Sequence, residues 1–440
     1  MALGRGGGQG IGQPARSESR QAGGRPHRSR SRGLRALAIG VAVVVAGAAL
    51  GAYAIYRTTS DDIRHINVSK DLGTHRPRAE PNALNILLIG SDSRGGPNRG
   101  FGAEVAGQRS DTVMVVHIAP GARRVVVLSF PRDSVVPILA CAPEAGATGQ
   151  VAGPAGDVEQ LNATFSYGGP GCLWKTLEQT TGIRINDFIE LTFTGFENLI
   201  NDIGGVSVCL PVAVNDVDSR LRLSAGRHHV WGAEALAFWR ARYIGEGSDL
   251  QRIQRDQYLM ASLLHGIQRS GLSHSPAKIF RVLENVVGNG DVTTDTQLTL
   301  GKLVSIADEL RSLPPRSVQF IEVPTVAYPG DPQAWVQWAQ PQAGSLFAAI
   351  AHDTRLPSVR RRRVPGALAT LQRDPALAAG TIQLILGSTF TGLASSPSAS
   401  TGTTSSLPSS AALAQQYGGI TGDVNICGDT AAFSGPDGDN

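Results

Sequence analysis

A run of 21 residues without a charged side chain, residues 36–56, constrains this chain more than any other feature. A helix of that length rises about 30 Å, which matches the hydrocarbon thickness of a bilayer. Arg35 and Arg57 flank the run, and Tyr53 and Tyr56 fall where interfacial aromatic residues are expected. We therefore predict one transmembrane helix over 36–56. A cleaved signal peptide is the alternative, and both interpretations export the remainder of the chain.

The basic charge is concentrated in front of that segment. Residues 1–35 carry eight arginines and one acid, a net charge of +7, whereas the remaining residues sum to −3. Because positive residues are retained in the cytoplasm, we predict 1–35 as a cytoplasmic basic arm of a single-pass membrane protein whose main part is extracellular. The pI of 9.0 therefore reflects a local feature, and we expect no nucleic-acid partner.

An even number of cysteines in an exported chain predicts disulfides. The sequence has four, and we predict that Cys141 pairs with Cys172 and Cys209 with Cys427. The other two connectivities, and four buried thiols, are the alternatives.

Strand-like and helix-like segments alternate beyond the apolar run, which predicts an α/β fold: a three-layer α-β-α sandwich around a mixed central sheet. The strands are predicted at 85–90, 112–118, 124–130, 187–193, 206–212 and 318–323. The helices are predicted at 173–182, 196–205, 233–242, 249–269, 276–287 and 296–311. The predicted domain order is a basic arm, a transmembrane helix, a stalk (57–82), a main α/β domain (83–330) and a C-terminal extension (331–440) with a low-complexity tail.

Four polar clusters adjoin these segments, at 90–94, 109–112, 129–134 and 240–257. Loops at strand ends are where open α/β folds place ligand sites. Arginine forks hold phosphate oxygens, and carboxylates hold a divalent cation that bridges the others. The combination therefore predicts a phosphate ligand.

Each cluster also has a simpler interpretation. Arg252 and Arg255 share a helix face and fit solvated surface charges equally well. Asp249 fits a helix N-cap. The Gly168-Gly169 pair fits a turn. His228 and His229 lack a third ligand in spacing, so a loop pair is favoured over a metal site.

In combination, the motifs resemble the LytR-CpsA-Psr family of cell-envelope phosphotransferases over residues 82–270. The resemblance rests on NILLIGSDSR, RSDTVMVVHI, VVVLSFPRDS, LNATFSYGGP, GGVSVCLPVAV, LSAGRHHVWGAEALAFWRAR and DLQRIQRDQ, in family order. The excess of Arg (36) over Lys (4) is typical of a GC-rich genome, so an actinobacterial member is expected.

The resemblance implies a glycopolymer donor linked through pyrophosphate to a polyprenol, a peptidoglycan acceptor and a lipid bilayer as partners. It implies Asp92 and Asp111 as Mg²⁺ ligands (Mn²⁺ is an alternative), with Arg132 as a further catalytic residue. The residues implied to bind the pyrophosphate are Arg94, Arg109, Arg132, Asn162, Arg240, Arg242, Arg252, Arg255 and Gln257.

Two departures from the family pattern concern the same site. Gln160 stands where the family often has Lys, and Asp256 where it often has Gln. The glutamine at position 160 removes a positive charge, and the aspartate at position 256 adds a negative charge. Two rival functions also fit the sequence: a polyprenyl-pyrophosphate pyrophosphatase that uses water as acceptor, and a non-enzymatic lipid- or polymer-binding regulator of the envelope.

Overall fold

The computed structural model describes most of the chain between Ile63 and Leu356, and one short segment near the C-terminus. The described ranges are 63–91, 110–143, 156–210, 213–241, 249–272, 275–287, 291–332, 334–356 and 419–421. The predicted transmembrane segment, 36–56, lies outside these ranges, as does most of the low-complexity tail. Within them, no helix combines the length and the apolar character that crossing a bilayer requires.

A mixed sheet of eight strands lies at the centre of the described fold. In spatial order the strands are β1 (Arg64–Ile66), β12 (Val292–Asp295), β7 (Asp187–Leu191), β2 (Leu84–Ser91), β3 (Ser110–Ile118), β4 (Val125–Phe130), β13 (Val318–Glu322) and β16 (Gly419–Thr421). Strand β2 pairs antiparallel with β3 and parallel with β7. The predicted mixed central sheet of an α/β fold is therefore confirmed.

Helices cover both faces of this sheet. One face packs against α3 (Phe193–Asp202), α4 (Gly232–Arg240) and α5 (Asp249–Arg269). The other face packs against α2 (Leu161–Thr181) and α8 (Gln342–Ala351). All six residues of β4 are buried, as expected for a strand enclosed on both faces.

Smaller elements complete the described fold. The helices are α1 (Ser69–Leu72), α6 (Pro276–Val287) and α7 (Leu300–Leu310). The remaining strands form four two-stranded antiparallel sheets: β5 (Val135–Pro137) with β6 (Val158–Gln160), β8 (Val206–Leu210) with β11 (Gly226–Val230), β9 (Val214–Asp216) with β10 (Leu221–Leu223), and β14 (Thr325–Ala327) with β15 (Val336–Trp338).

The segments predicted to flank the catalytic domain contribute to its fold. In the predicted stalk, β1 extends the sheet by pairing with β12, and the buried Leu72 packs in the same core as α2. In the predicted C-terminal extension, Leu346 and Phe347 of α8 are buried in that core, and β16 pairs with β13. The predicted stalk and the predicted C-terminal extension therefore each contribute short elements to the same fold as residues 83–330, and isolated short strands carry little sequence signal.

A disulfide between Cys141 and Cys172 confirms the first predicted pair. Cys209 is also disulfide-bonded, and Cys427 lies outside the described residues. Helix α2 begins 12 residues before the predicted segment, and it is interrupted at Gly168 and Gly169, whose backbone angles are not helical, in agreement with the turn interpretation of this pair. A Cβ on Gly168 would lie 2.8 Å from a backbone oxygen near Cys141, so the glycine permits the close approach that the disulfide requires.

Candidate active site

Several polar loops meet at one edge of the central sheet. Ser91 at the end of β2 pairs with Ser110 at the start of β3. Phe130, the last residue of β4, also pairs with β3, and Leu191, the last residue of β7, pairs with β2. The described parts of the polar clusters at 90–94, 109–112 and 129–134 therefore lie at the same edge of the central sheet.

A β-bulge lies at Asp111. The last two residues of β2 pair with Thr112 and Ser110, so Asp111 is an extra residue between two bonded positions. A bulge interrupts the alternation of a strand and re-aims a side chain, and bulges are frequent beside active sites. Asp92 directly follows β2, so both predicted metal-binding aspartates adjoin the same bonded pair. The Asp111 side chain and all of Asp92 lie outside what the structure describes.

The residues on either side of Asp111 fit a magnesium site. The hydroxyl oxygens of Ser110 and Thr112 are buried and have no hydrogen-bond partner among the described residues. Mg²⁺ prefers oxygen ligands, carboxylates above all, and usually keeps several waters. Unpaired oxygens beside a predicted carboxylate are therefore compatible with a hydrated Mg²⁺ ion held by Asp92 and Asp111.

Arg132 lies in the turn after β4, and this turn is bonded to the start of α2. The backbone N–H of Leu161 donates to the carbonyl of Ser134 at 2.8 Å. The backbone N–H of Asn162 donates to the carbonyl of Arg132 at 3.2 Å. Arg132 and Asn162, which are distant in sequence and both implied to bind pyrophosphate, are thereby neighbours.

Asp133 connects Arg132 to β6. The Arg132 Nε donates to Oδ2 of Asp133 at 3.4 Å, and Nε2 of Gln160 donates to Oδ1 at 3.0 Å. A lysine at position 160 would compete with Arg132 for this carboxylate, whereas the neutral glutamine leaves its charge to Arg132. The departure from the family pattern therefore affects how Arg132 is held.

Arg240, the last residue of α4, reaches the same edge from the other side. Its Cζ lies 5.0 Å from the ring centroid of Phe193, which follows β7 by two residues. This is cation–π geometry, which leaves the edge of a guanidinium able to donate to a ligand. Burial raises the pKa of the nearby Glu197 carboxyl, and the Arg240 guanidinium opposes that rise.

Gly90 allows α4 to approach the end of β2. A Cβ added to Gly90 would lie 3.0 Å from Cη2 of Trp239 and 3.2 Å from Cβ of Thr112. Trp239 also packs against Phe196, with ring centroids 4.5 Å apart. The missing side chain of Gly90 thus lets the indole of Trp239 rest on the sheet, next to Arg240 in the chain.

Replacing Gly90 by valine is expected to displace Trp239 and with it Arg240. Overpacking of this kind costs about 1–3 kcal/mol of unfolding free energy. We also expect the KM for a pyrophosphate donor to rise by about tenfold, because a loss of about 1.4 kcal/mol of binding corresponds to that factor. Thermal unfolding and donor kinetics of Gly90→Ala and Gly90→Val check this. Equal KM values for wild type and Gly90→Val would show that the contact does not position Arg240.

The strand order relates the described groups to one another. Arg240 contacts Phe193 just after β7, the bulge at Asp111 belongs to β3, and Arg132 follows β4. Neighbouring strands are about 4.8 Å apart, so the ends of β7 and β4 are separated by about 14 Å, with β2 and β3 between them. Arginines therefore adjoin the strands on both sides of the pair that ends at the bulge.

Helix α5 contributes buried polar groups near the end of α4. Arg255 is 2% exposed and donates from Nη2 to the carbonyl of Ala241 at 3.0 Å, so the surface interpretation of Arg255 is wrong. Gln257 is equally buried, and its Nε2 has no partner among the described residues. An unpaired buried amide is costly, and it is suited to donate to a ligand oxygen.

The structure does not describe the side chains of the remaining predicted arginines. Arg94, Arg109 and Arg242 lie outside the described residues, and Arg252 is described only as part of helix α5. His228 and His229 lie in strand β11, not in a loop, and each ring bonds a backbone carbonyl. Within the described ranges, no group of three or more His, Cys, Asp or Glu side chains is arranged to hold a metal ion.

Sequence reasoning did not assign a role to Asp133, Phe193 or Trp239. Asp133 and Trp239 do lie within the quoted motifs, next to the arginines whose position they influence. Phe193 had no comparable signal, because its contact with Arg240 joins residues far apart in the chain.

Comparison with known proteins identifies related sequences. The sequence model of the LytR_cpsA_psr family matches residues 50–349. The chain is 33% identical over 210 residues to the "Probable cell wall biosynthesis protein LcpB" of Corynebacterium glutamicum, which covers 46% of this chain and 47% of that protein. The chain thus spans about half the length of this relative. Corynebacterium is an actinobacterium, which agrees with the origin expected from the excess of Arg over Lys.

A second relative carries a more specific name. The chain is 26% identical over 265 residues to the "Polyisoprenyl-teichoic acid--peptidoglycan teichoic acid transferase TagU" of Bacillus cereus, which covers 58% of this chain and 73% of that protein. Among solved structures, Bacillus subtilis TagV matches with a TM-score of 0.48 and 21% identity, covering 62% of this chain and 98% of the other.

Proposed function

Because the chain belongs to the LytR_cpsA_psr family, we propose that it transfers a glycopolymer from a polyprenyl pyrophosphate carrier to peptidoglycan. The observation that carries the proposal is that Arg240, which contacts Phe193 just after β7, and Arg132, which follows β4, lie on either side of the β2–β3 pair that ends in the bulge at Asp111. A pyrophosphate carries several negative charges that guanidinium forks bind well.

In the proposed reaction, a sugar hydroxyl of peptidoglycan attacks the polymer-side phosphorus of the donor. The bond from that phosphorus to the oxygen of the lipid phosphate breaks. The products are a phosphodiester between polymer and peptidoglycan, and polyprenyl phosphate. The hydroxyl proton passes to an aspartate carboxylate, Asp92 or Asp111, acting as general base.

The residues at the edge act by positioning and by charge. Arg132 and Arg240 bind phosphate oxygens, and Asn162 and Gln257 donate further hydrogen bonds. These donors are held in place before the reaction, which makes them effective where negative charge develops. Bound Mg²⁺ would supply additional positive charge at the pyrophosphate.

The proposed location is the outer face of the cell membrane. Residues 36–56 would anchor the chain, with its N-terminus in the cytoplasm. The Cys141–Cys172 disulfide supports an oxidising compartment for the folded domain. The polyprenyl chain would reach the site between the sheet and helices α3 to α5, whose facing side chains are largely apolar.

Incubating the full-length protein with a polyprenyl-pyrophosphate glycopolymer, with and without peptidoglycan fragments, tests the proposed function. We expect release of polyprenyl phosphate to depend on the acceptor and to yield linked polymer. Release at the same rate without the acceptor, and no linked product, would identify a pyrophosphatase. Binding of the donor without turnover would favour a carrier or regulator.

Removal of divalent cations is expected to lower the transfer rate by about 100-fold or more, and Mg²⁺ to restore it. Asp111→Asn should raise the Mg²⁺ concentration needed for half-maximal activity, because it removes one of two charged ligands. Asp218→Asn, at an exposed acid in the β9–β10 hairpin, is the matched control. Full activity in excess chelator would rule out the metal role.

A further inference from the structure

The β14–β15 hairpin is attached directly to the turn that carries Arg132. The backbone N–H of Val336 in β15 donates to the carbonyl of Asp133 at 3.2 Å, and Ser134 forms a bridge with the same residue. The hairpin also follows β13, whose last residue, Glu322, pairs with Ser129. It therefore lies at the same sheet edge as the candidate site.

Both ends of this hairpin are fixed. At its base, Trp338 packs against Phe130 and Phe347, with ring centroids 5.7 Å and 5.0 Å apart. At its tip, the Asp331 carboxylate accepts from the backbone N–H of Ala334 at 3.2 Å, and two further backbone bonds close the turn. The hairpin is thus a preorganised element.

An aromatic pair lies on the face of the hairpin that points away from the core. Tyr328 donates its backbone N–H to the carbonyl of Trp335, and their ring centroids are 6.0 Å apart. Because side chains alternate, these two rings share a face with Val326, opposite the face of Trp338. Val326 is 44% exposed, and both rings are partly exposed.

The concentration of aromatic residues here is unusual for this chain. The sequence has 12 Trp and Tyr residues among 440, and three of them lie between positions 328 and 338. Partly exposed Tyr and Trp on a rigid element offer large contact area at low entropic cost, which is typical of binding sites.

We propose that Tyr328 and Trp335 form the subsite for the saccharide acceptor, a glycan strand of peptidoglycan. The inference rests on the proposed transfer reaction, since it places the acceptor beside Arg132. Pyranose rings present flat C–H faces that stack on aromatic rings, and Gln337 on the same face offers an amide to sugar hydroxyls. The reacting hydroxyl then approaches the donor phosphorus from the β4 side of the edge.

Steady-state kinetics of the full-length protein test this subsite. Trp335→Ala and Tyr328→Ala are each expected to raise the acceptor KM by about tenfold, as for a binding hot spot. The donor KM should stay unchanged, and Trp335→Phe should retain most acceptor binding. Trp231→Ala, at a tryptophan that is 52% exposed elsewhere on the surface, is the matched control. Unchanged acceptor KM in both alanine variants would overturn the proposal.

A binding measurement separates this proposal from the proposed function and from loss of folding. Cross-strand aromatic pairs also stabilise hairpins, so the alanine variants could unfold locally. Full-length protein labelled with fluorotryptophan avoids this, with the Trp335 signal assigned from Trp335→Phe. Soluble glycan chains released from peptidoglycan should shift the Trp335 resonance and leave that of Trp231 in place. No shift of Trp335 would overturn the subsite even if transfer occurs, whereas a shift without transfer would leave the subsite and contradict the proposed function.

Discussion

Arg132→Ala is expected to lower kcat/KM for glycopolymer transfer by about 100- to 1000-fold, the range seen when one preorganised donor to a transition-state anion is lost. Arg132 is held from two directions: Asp133 accepts from its Nε, and its carbonyl accepts from the start of α2. Its guanidinium therefore loses little freedom when it binds phosphate. The effect should exceed that of any other single arginine except Arg240.

The Arg132 prediction can be checked with matched variants. Arg123→Ala removes an exposed arginine at the opposite end of β4 and should have little effect on transfer. Arg132→Lys keeps the charge but loses the two-pronged geometry, so intermediate activity is expected. Thermal unfolding of each variant controls for stability. Wild-type kcat/KM in folded Arg132→Ala would remove Arg132 from the site.

The Cys141→Ser, Cys172→Ser double variant is expected to lose about 2–4 kcal/mol of unfolding free energy. The two cysteines are 31 residues apart, and the bond removes loop-closure entropy from the unfolded chain. Since Cys141 and Cys172 are both buried, the double variant also places two serine hydroxyls in a buried position, which adds to the loss unless they form hydrogen bonds.

Denaturant unfolding of wild type and the double variant measures this loss. Replacing both cysteines avoids a reactive single thiol, and leaving Cys209 intact preserves its own disulfide. A matched control is Ser305→Ala in the exposed part of α7. Equal midpoints for wild type and the double variant would show that the bond contributes nothing to stability.

Apolar periodicity predicted the regular elements well. The predicted helices 249–269 and 276–287 coincide with α5 and α6 from end to end. The predicted strands 85–90 and 112–118 differ from β2 and β3 by at most two residues at each end. In these segments local pattern and tertiary packing agree.

The missed elements are those in which tertiary contacts override local signals. The first half of α2 contains Gly168, Gly169 and Pro170, which predict a break; the structure has that break at the two glycines, and a helical segment that the sequence did not predict precedes it. Strands β1 and β16 have three residues each, and only pairing with β12 and β13 makes them strands.

In the candidate site too, local sequence patterns predicted some features and tertiary contacts determined the others. Motif resemblance identified Arg132 and Arg240, because each lies in a recognisable short pattern. The contacts that hold them join distant positions: Gln160 to Asp133, and Phe193 to Arg240. No local pattern contains such pairs, and the alternative of a solvated Arg255 was excluded only by its burial.

In the proposed reaction a sugar hydroxyl, and not water, attacks the donor phosphorus. The most direct test is to run the reaction of the full-length protein in water carrying a heavy oxygen isotope, with donor and peptidoglycan both present, and to determine the products by mass spectrometry. We expect polymer joined to peptidoglycan through a phosphodiester without the heavy isotope, together with polyprenyl phosphate. Free polymer phosphate that carries the heavy isotope, with no linked product, would contradict the transfer reaction.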